Sequence, residues 1–243
     1  MLSQPNALLP QIEISASFQA LFAPFFPSTA KKSTAQFPAV AEKANAPLFE
    51  LFEHVGADRA VVERFISQRF AESFRSNVEF FMPRLFSLRN RNGDICGAFG
   101  LRSGNRKLFL EQYLDVPIDQ TIAARAGVCV ERSSIVEVGH FSGAFPGAVR
   151  AMIGLLTERL HREGFEWVAF TGTTTLRNAF SRLSLSPIDI QPATIDRLPE
   201  AERAAWGSYY DHAPHVLVGN VREGFLAMRR RASSRRSSVG GLS

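Results

Sequence analysis

Cysteine is nearly absent. Cys96 and Cys129 are the only two in 243 residues, and neither stands in a CxxC or zinc-ligand spacing. A disulfide scaffold is excluded, and a reducing compartment, the cytoplasm, is the expected setting. The chain also lacks a GxSxG elbow, a GxxxxGK[ST] phosphate loop and an HExxH pair, so serine-hydrolase, P-loop and zinc-peptidase chemistries have no anchor. No basic stretch precedes the apolar run Ile14 to Ala30, which Pro24 and Pro27 interrupt; neither a secretory signal nor a membrane span is expected there. Its Phe-rich part, residues 18–26, is expected to dock on the protein's own core, with a lipid surface as the alternative.

Acidic residues are missing from the last 16 positions, where Arg229, Arg230, Arg231, Arg235 and Arg236 fall. Those five arginines account for the whole net charge of +5, leaving residues 1–227 formally neutral. The electrostatic footprint of a sequence-specific nucleic-acid binder is therefore lacking, and nucleic acid ranks last among partners. With few apolar side chains to offset ordering entropy, residues 226–243 are read as a disordered Arg/Ser-rich tail suited to weak contact with an anionic membrane.

The remaining chain has ordinary globular composition, 45% hydrophobic and 21% charged. Residues 1–49, with six prolines before position 49, read as a loosely ordered extension, and 50–225 as one domain. Val61, Val62, Phe65, Ile66, Phe70 and Phe74 recur at helical spacing. Two strand-like runs, Arg84–Arg89 and Ile95–Leu101, flank an Asn-Gly pair, a hairpin signal. Lys107–Glu111 reads as a strand, Ile118–Ala126 as a helix ended by Gly127, and Ser134–His140 as a strand. A helical stripe through Val149, Met152, Ile153, Leu156 and Leu160 follows, then the strand Glu166–Thr171. Strand, helix and strand in that order predict a right-handed βαβ crossover with parallel strands. Helices over Thr175–Leu183 and Leu198–Ala205 and a strand over His215–Gly219 complete the expectation, an α/β fold with a mixed sheet.

Glu137 stands between Val136 and Val138 in an apolar strand, and alternation puts it on the opposite face. An acid there is a general base, a ligand for a cationic amine, or a structural acid paired to arginine. His140 at the strand end either accepts a proton or caps the turn. The loop Ser142–Gly147 leads into a helix N-terminus, where unsatisfied N–H groups favour a phosphate; glycine-rich turns also arise there for steric reasons alone. Glu111, Tyr113 and Asp115, in FLEQYLD, would bind an amine or alcohol acceptor or cap the next helix. Trp206, Tyr209, Tyr210, Asp211 and His212 form a pocket wall or a rigid loop, and His212 with His215 lacks a third metal ligand.

FLEQYLD, SSIVEVGHFSG, GFEWVAFTGTTTLRN and WGSYYDH, in that order, resemble the thermostable hemolysin family over about Val61 to Arg222. The family's order of elements is similar to that of the GNAT acyltransferases and the acyl-homoserine-lactone synthases. The resemblance implies a GNAT-like acyltransferase fold whose donor, an acyl-coenzyme A or an acyl-phosphopantetheine on an acyl carrier protein, lies between two splayed central strands. Glu137 and His140 are the expected catalytic residues: Glu137, directly or through water, would deprotonate an amine that attacks the thioester, with strand N–H groups near Val138 to Phe141 stabilising the oxyanion. Val138, Phe141, Ser142, Gly143, Ala144, Gly147 and Arg150 would lie on the donor side, and Glu111, Tyr113, Asp115, Thr171, Asn178 and Tyr210 on the side of a small amine. No permanently bound cofactor and no metal are expected. SGAFPGAVR departs from the GNAT pyrophosphate pattern Q/R-x-x-G-x-G/A, which fits a carrier protein better than coenzyme A. The competing reading is a membrane-active hemolysin without enzymatic activity.

Overall fold

A computed structural model describes residues 48–239. Strands β1 (Phe49–His54), β2 (Arg84–Asn90), β3 (Ile95–Ser103), β4 (Ile135–Gly143), β5 (Trp167–Gly172), β6 (Ile188–Pro192) and β7 (His215–Asn220) form one sheet in the order β1-β2-β3-β4-β5-β7-β6. Only the central β4–β5 pair is parallel; every other neighbour is antiparallel. The expected mixed sheet and the parallel crossover are both present. The Asn-Gly hairpin joins β2 to β3, with Gly93 at φ 87 and the Asn90 side chain accepting from the Asn92 and Asp94 N–H groups.

Helices cover both faces. The crossover helix α3 (Pro146–Arg162) joins β4 to β5, and α4 (Thr174–Arg182) follows β5. With the C-terminal helix α6 (Val221–Val239) they cover one face, burying Met152, Leu156, Leu183 and Met228 against Phe99, Val138 and Phe170. On the other face lie α1 (Arg59–Phe74), which buries Val62, Ile66 and Phe70, and α2 (Ile118–Ala126), ended by Gly127 in the left-handed conformation. One-turn α5 (Glu200–Arg203) and several 3₁₀ turns complete the chain.

Several sequence expectations are corrected. Lys107–Glu111 is no strand: Phe109–Tyr113 forms a 3₁₀ helix, because side-chain carboxylates satisfy its leading N–H groups in place of a sheet neighbour. The helix expected over Leu198–Ala205 shrinks to α5 and a following 3₁₀ turn, Ala204–Trp206. Strands β1 and β6 have no counterpart among the sequence expectations; both are short edge strands. The segment read as a disordered tail from residue 226 is helical to Val239, since Met228 and Ala232, one turn apart, are buried in the core. The Phe-rich run 18–26 lies outside the described residues.

Candidate active site

The central strands part company. Pairing between β4 and β5 runs from Ile135↔Trp167 to Val138↔Phe170. Beyond it β4 continues to Gly143 against β3, and β5 to Gly172 against β7. Where they diverge, β4 carries a bulge: Gly139 faces Gly100 and Ser142 faces Ala98, so His140 and Phe141 together oppose Phe99. His140 occupies the left-handed region at φ 54, a conformation costing about 1 kcal/mol in a residue with a Cβ. Flanking glycines make room for the bulge's cover, since a Cβ at Gly100 or Gly139 would collide with the Met82 side chain.

The extra residue returns His140 to the face that carries Glu137. Its ring lies 6.1 Å from Phe70 and 5.6 Å from Phe81 and hydrogen-bonds to the Phe80 backbone. Nδ1 is buried with no hydrogen-bond partner. Burial, aided by the Arg102 charge and opposed by the Phe80 bond, pushes the imidazole down to about 4, so it is neutral at physiological pH. On the opposite lip Thr171, the first β5 residue past the split, accepts a hydrogen bond from the Tyr209 hydroxyl at 3.3 Å. Phe70 bridges the lips, with ring centroids 6.4 Å from Tyr209.

Glu137 is 3% exposed, and both its oxygens are engaged: Oε2 accepts from the Phe109 N–H at 2.9 Å and Oε1 from the Leu110 N–H at 2.8 Å. It holds the 3₁₀ turn against the sheet. Burial pushes its carboxyl up, and the two N–H bonds and the Arg102 charge pull the other way. The structural partner considered from sequence was an arginine; the one directly across the ladder is Arg102, which sequence reading missed because only strand register identifies it.

The remaining candidates separate. Val138 is the last residue paired across the split, and Phe141 stacks on Phe99 from the other sheet face at 6.3 Å. Ser142 is buried and donates to the His140 carbonyl at 2.9 Å. The Gly143 carbonyl accepts from Arg69, and the Ala144 N–H is used by the Cys96 carbonyl. Gly147 lies buried in the first turn of α3, behind Pro146 at its start, and Arg150 follows a turn later beside Arg182. Tyr113 and Tyr210 share a hydroxyl hydrogen bond at 2.6 Å in the aromatic cluster with Trp206 and Tyr209.

Glu111, by contrast, receives two bonds from Arg132 and the N–H groups of Leu108 and Ile118, so it caps the turn and α2. Asp115 pairs with Arg197, and Asn178 is exposed on α4. A shallow depression of about 460 Å³ adjoins Arg106, Glu111, Asp115 and Arg132 and includes no residue of the strand opening. A neutral buried imidazole and divergent strand edges coincide at the opening instead.

The chain is similar to several solved structures. TofI in its apo form is 17% identical, with 74% of this chain and 96% of that chain covered and a TM-score of 0.51. MesI, a CoA-dependent acyl-homoserine lactone synthase, is 16% identical with coverage of 72% and 89% and a TM-score of 0.45. A GCN5-related N-acetyltransferase from Kribbella flavida is 14% identical, with 71% and 98% covered and a TM-score of 0.43. The likeness to TofI is one of fold, and with the parallel crossover at the centre of a mixed sheet it bears out the GNAT-like fold that the resemblance implied. No curated protein matches the chain. Residues 52–225, from β1 through the start of α6, match the family described as Thermostable hemolysin, and the chain belongs to that family.

Proposed function

We propose that the protein is an acyltransferase that moves an acyl group from a phosphopantetheine thioester, on coenzyme A or an acyl carrier protein, to a small amine. The observation that carries this reading is the divergence of β4 and β5 beyond Val138 and Phe170, with the bulge at His140 on its rim. Two strand edges that face each other without pairing offer peptide groups to an extended arm carrying amides of its own.

In this reading the amine enters on the face of His140 and Thr171. Its nitrogen attacks the thioester carbonyl, a C–N bond forms, the C–S bond breaks and the thiolate leaves. The neutral imidazole, with Nδ1 available, accepts the amine proton, which passes to the thiolate. Peptide N–H groups of the bulge stabilise the transient oxyanion. Glu137 acts through its hold on residues 109 and 110, as a positioning residue. The donor and amine are co-substrates, with no permanently bound cofactor. The wall of Phe70, Phe74, Phe81 and Tyr209 suits an apolar acyl chain.

The test is thiol release from a panel of acyl-carrier and acyl-coenzyme A thioesters with pooled amines, for the unaltered protein and His140→Gln. Amine-dependent release that falls at least about a hundredfold in the variant is expected. Absence of release across the panel, with leakage of pure lipid vesicles by the same protein, overturns the reading in favour of direct membrane lysis. Among the described residues no helix is long and apolar enough to cross a membrane.

A further inference from the structure

We propose that the arginine-bearing face built by α3, α4 and α6 docks a small acidic carrier protein, which delivers its phosphopantetheine arm to the β4–β5 opening. The arm rests on the acyl-transfer reading above; the docking face rests on charge and packing.

Residues 138–157, 167–188 and 224–243 contain no aspartate or glutamate. They are far apart in sequence, yet they supply the first turns of α3, all of α4 and nearly all of α6, and these helices share one sheet face. Arg150 on α3 lies near Arg182 on α4, and burial together with the Arg182 charge lowers the pKa of Arg150. Arg231 on α6 donates to Ser184 at 3.2 Å, two residues beyond Arg182. Arg229 and Arg230 are exposed on the two preceding positions of α6. Arginines gathered on stretches of chain that carry no acid of their own become favourable against an anionic partner, although Arg177 on α4 is already paired with Asp189 from β6.

Position and size favour a protein. Helix α3 begins beyond the end of β4 and α4 beyond the end of β5, so both N-termini flank the opening. Asn220, which precedes α6, pairs with Trp167 at the start of β5, so α6 runs back towards the opening and brings its arginines to that end. Three helices packed side by side span roughly 20 Å, more than the phosphates of a free nucleotide occupy. A membrane fits less well. The apolar side chains of α6 at Met228 and Ala232 point into the core, while Arg229, Arg230, Ser233 and Ser234 are exposed, and Leu226 alone among the large apolar side chains described on this helix is exposed, too little apolar surface to insert.

The experiment measures binding of a phosphopantetheine-bearing acidic carrier protein by fluorescence anisotropy at low salt, for the full chain and for Arg182→Glu with Arg230→Glu. Beside it, kcat/KM is compared for one acyl group on the carrier and on free pantetheine. Charge reversal is expected to weaken carrier binding at least about tenfold and to lower the carrier-to-pantetheine ratio of kcat/KM by a similar factor, with salt producing the same trend. If the reversed protein fails to fold, Arg182→Gln with Arg230→Gln is read in its place. Carrier binding that is undetectable, or indifferent to these substitutions, overturns the proposal, as does binding only to phosphatidylserine vesicles. Failure of every thioester to turn over would instead sink the acyl-transfer reading, and the anisotropy result would still decide the docking face.

Discussion

Glu137 and His140 share one face of β4 although an odd number of steps separates them, because the bulge inserts a residue between Gly139 and Ser142. Strict alternation would have sent the imidazole into the opposite layer. The two groups then diverge in role. Glu137 has both oxygens bound to backbone N–H groups, whereas His140 keeps a buried nitrogen without a partner.

Removing Glu137 should therefore act first on stability. Glu137→Ala leaves the part-buried N–H of Phe109 and the buried N–H of Leu110 without acceptors, at a cost of roughly 2–5 kcal/mol. Chemical denaturation measures the loss. Hydrogen exchange should speed up selectively over residues 108–113; an unchanged exchange pattern would refute the positioning role.

The His140 environment makes a pH prediction. Its folded pKa is about 4 against an ordinary 6.5, so the unfolded chain takes up a proton first as pH falls. This group's contribution is fully present above 6.5, declines as pH drops towards 4, and changes little below that. Comparing unfolding midpoints of the parent and His140→Phe across this range isolates it: the parent should lose stability faster.

Arg102 lies directly across from Glu137 in the β3–β4 ladder, and its charge helps hold the imidazole neutral. Arg102→Met should raise the His140 pKa, read from the ring-proton shifts in an NMR titration. A pKa that stays put would assign the depression to burial alone.

Two carboxylates should dominate acid unfolding below pH 4.5. Burial alone would raise Glu111 and Glu163, but hydrogen bonds outweigh it, from Arg132 to the first and from Arg84 and Arg159 to the second, and both pKa values are depressed. Their contributions are present above 4.5 and vanish as pH falls through the lower folded values. Arg132→Gln should flatten that acid limb, as followed by circular dichroism.

Helix α2 and its Gly127 stop, the Asn-Gly hairpin and the crossover helix were legible because each is encoded by short-range periodicity or by a turn residue. The 3₁₀ turn at Phe109 was not, because its N–H groups are satisfied by Glu137, 28 residues away, and a local reading of KLFLE resembles a strand. The helical order of residues 226–239 is hidden from local sequence for a related reason. Polar composition suggested disorder, but the two small or flexible apolar groups Met228 and Ala232 suffice once α3 offers them a surface.

The sequence by itself determined the layer pattern, the parallel crossover and the family, since apolar spacing and turn residues act within a few positions and the blocks carrying the resemblance lie in order along the chain. It also placed an acid and a histidine on one strand. Tertiary structure alone decided which of them is engaged, where β4 leaves β5, and how three acid-free segments become one basic face. Those outcomes depend on register, a bulge and helix packing, which couple residues that are distant in the chain and invisible to any local pattern.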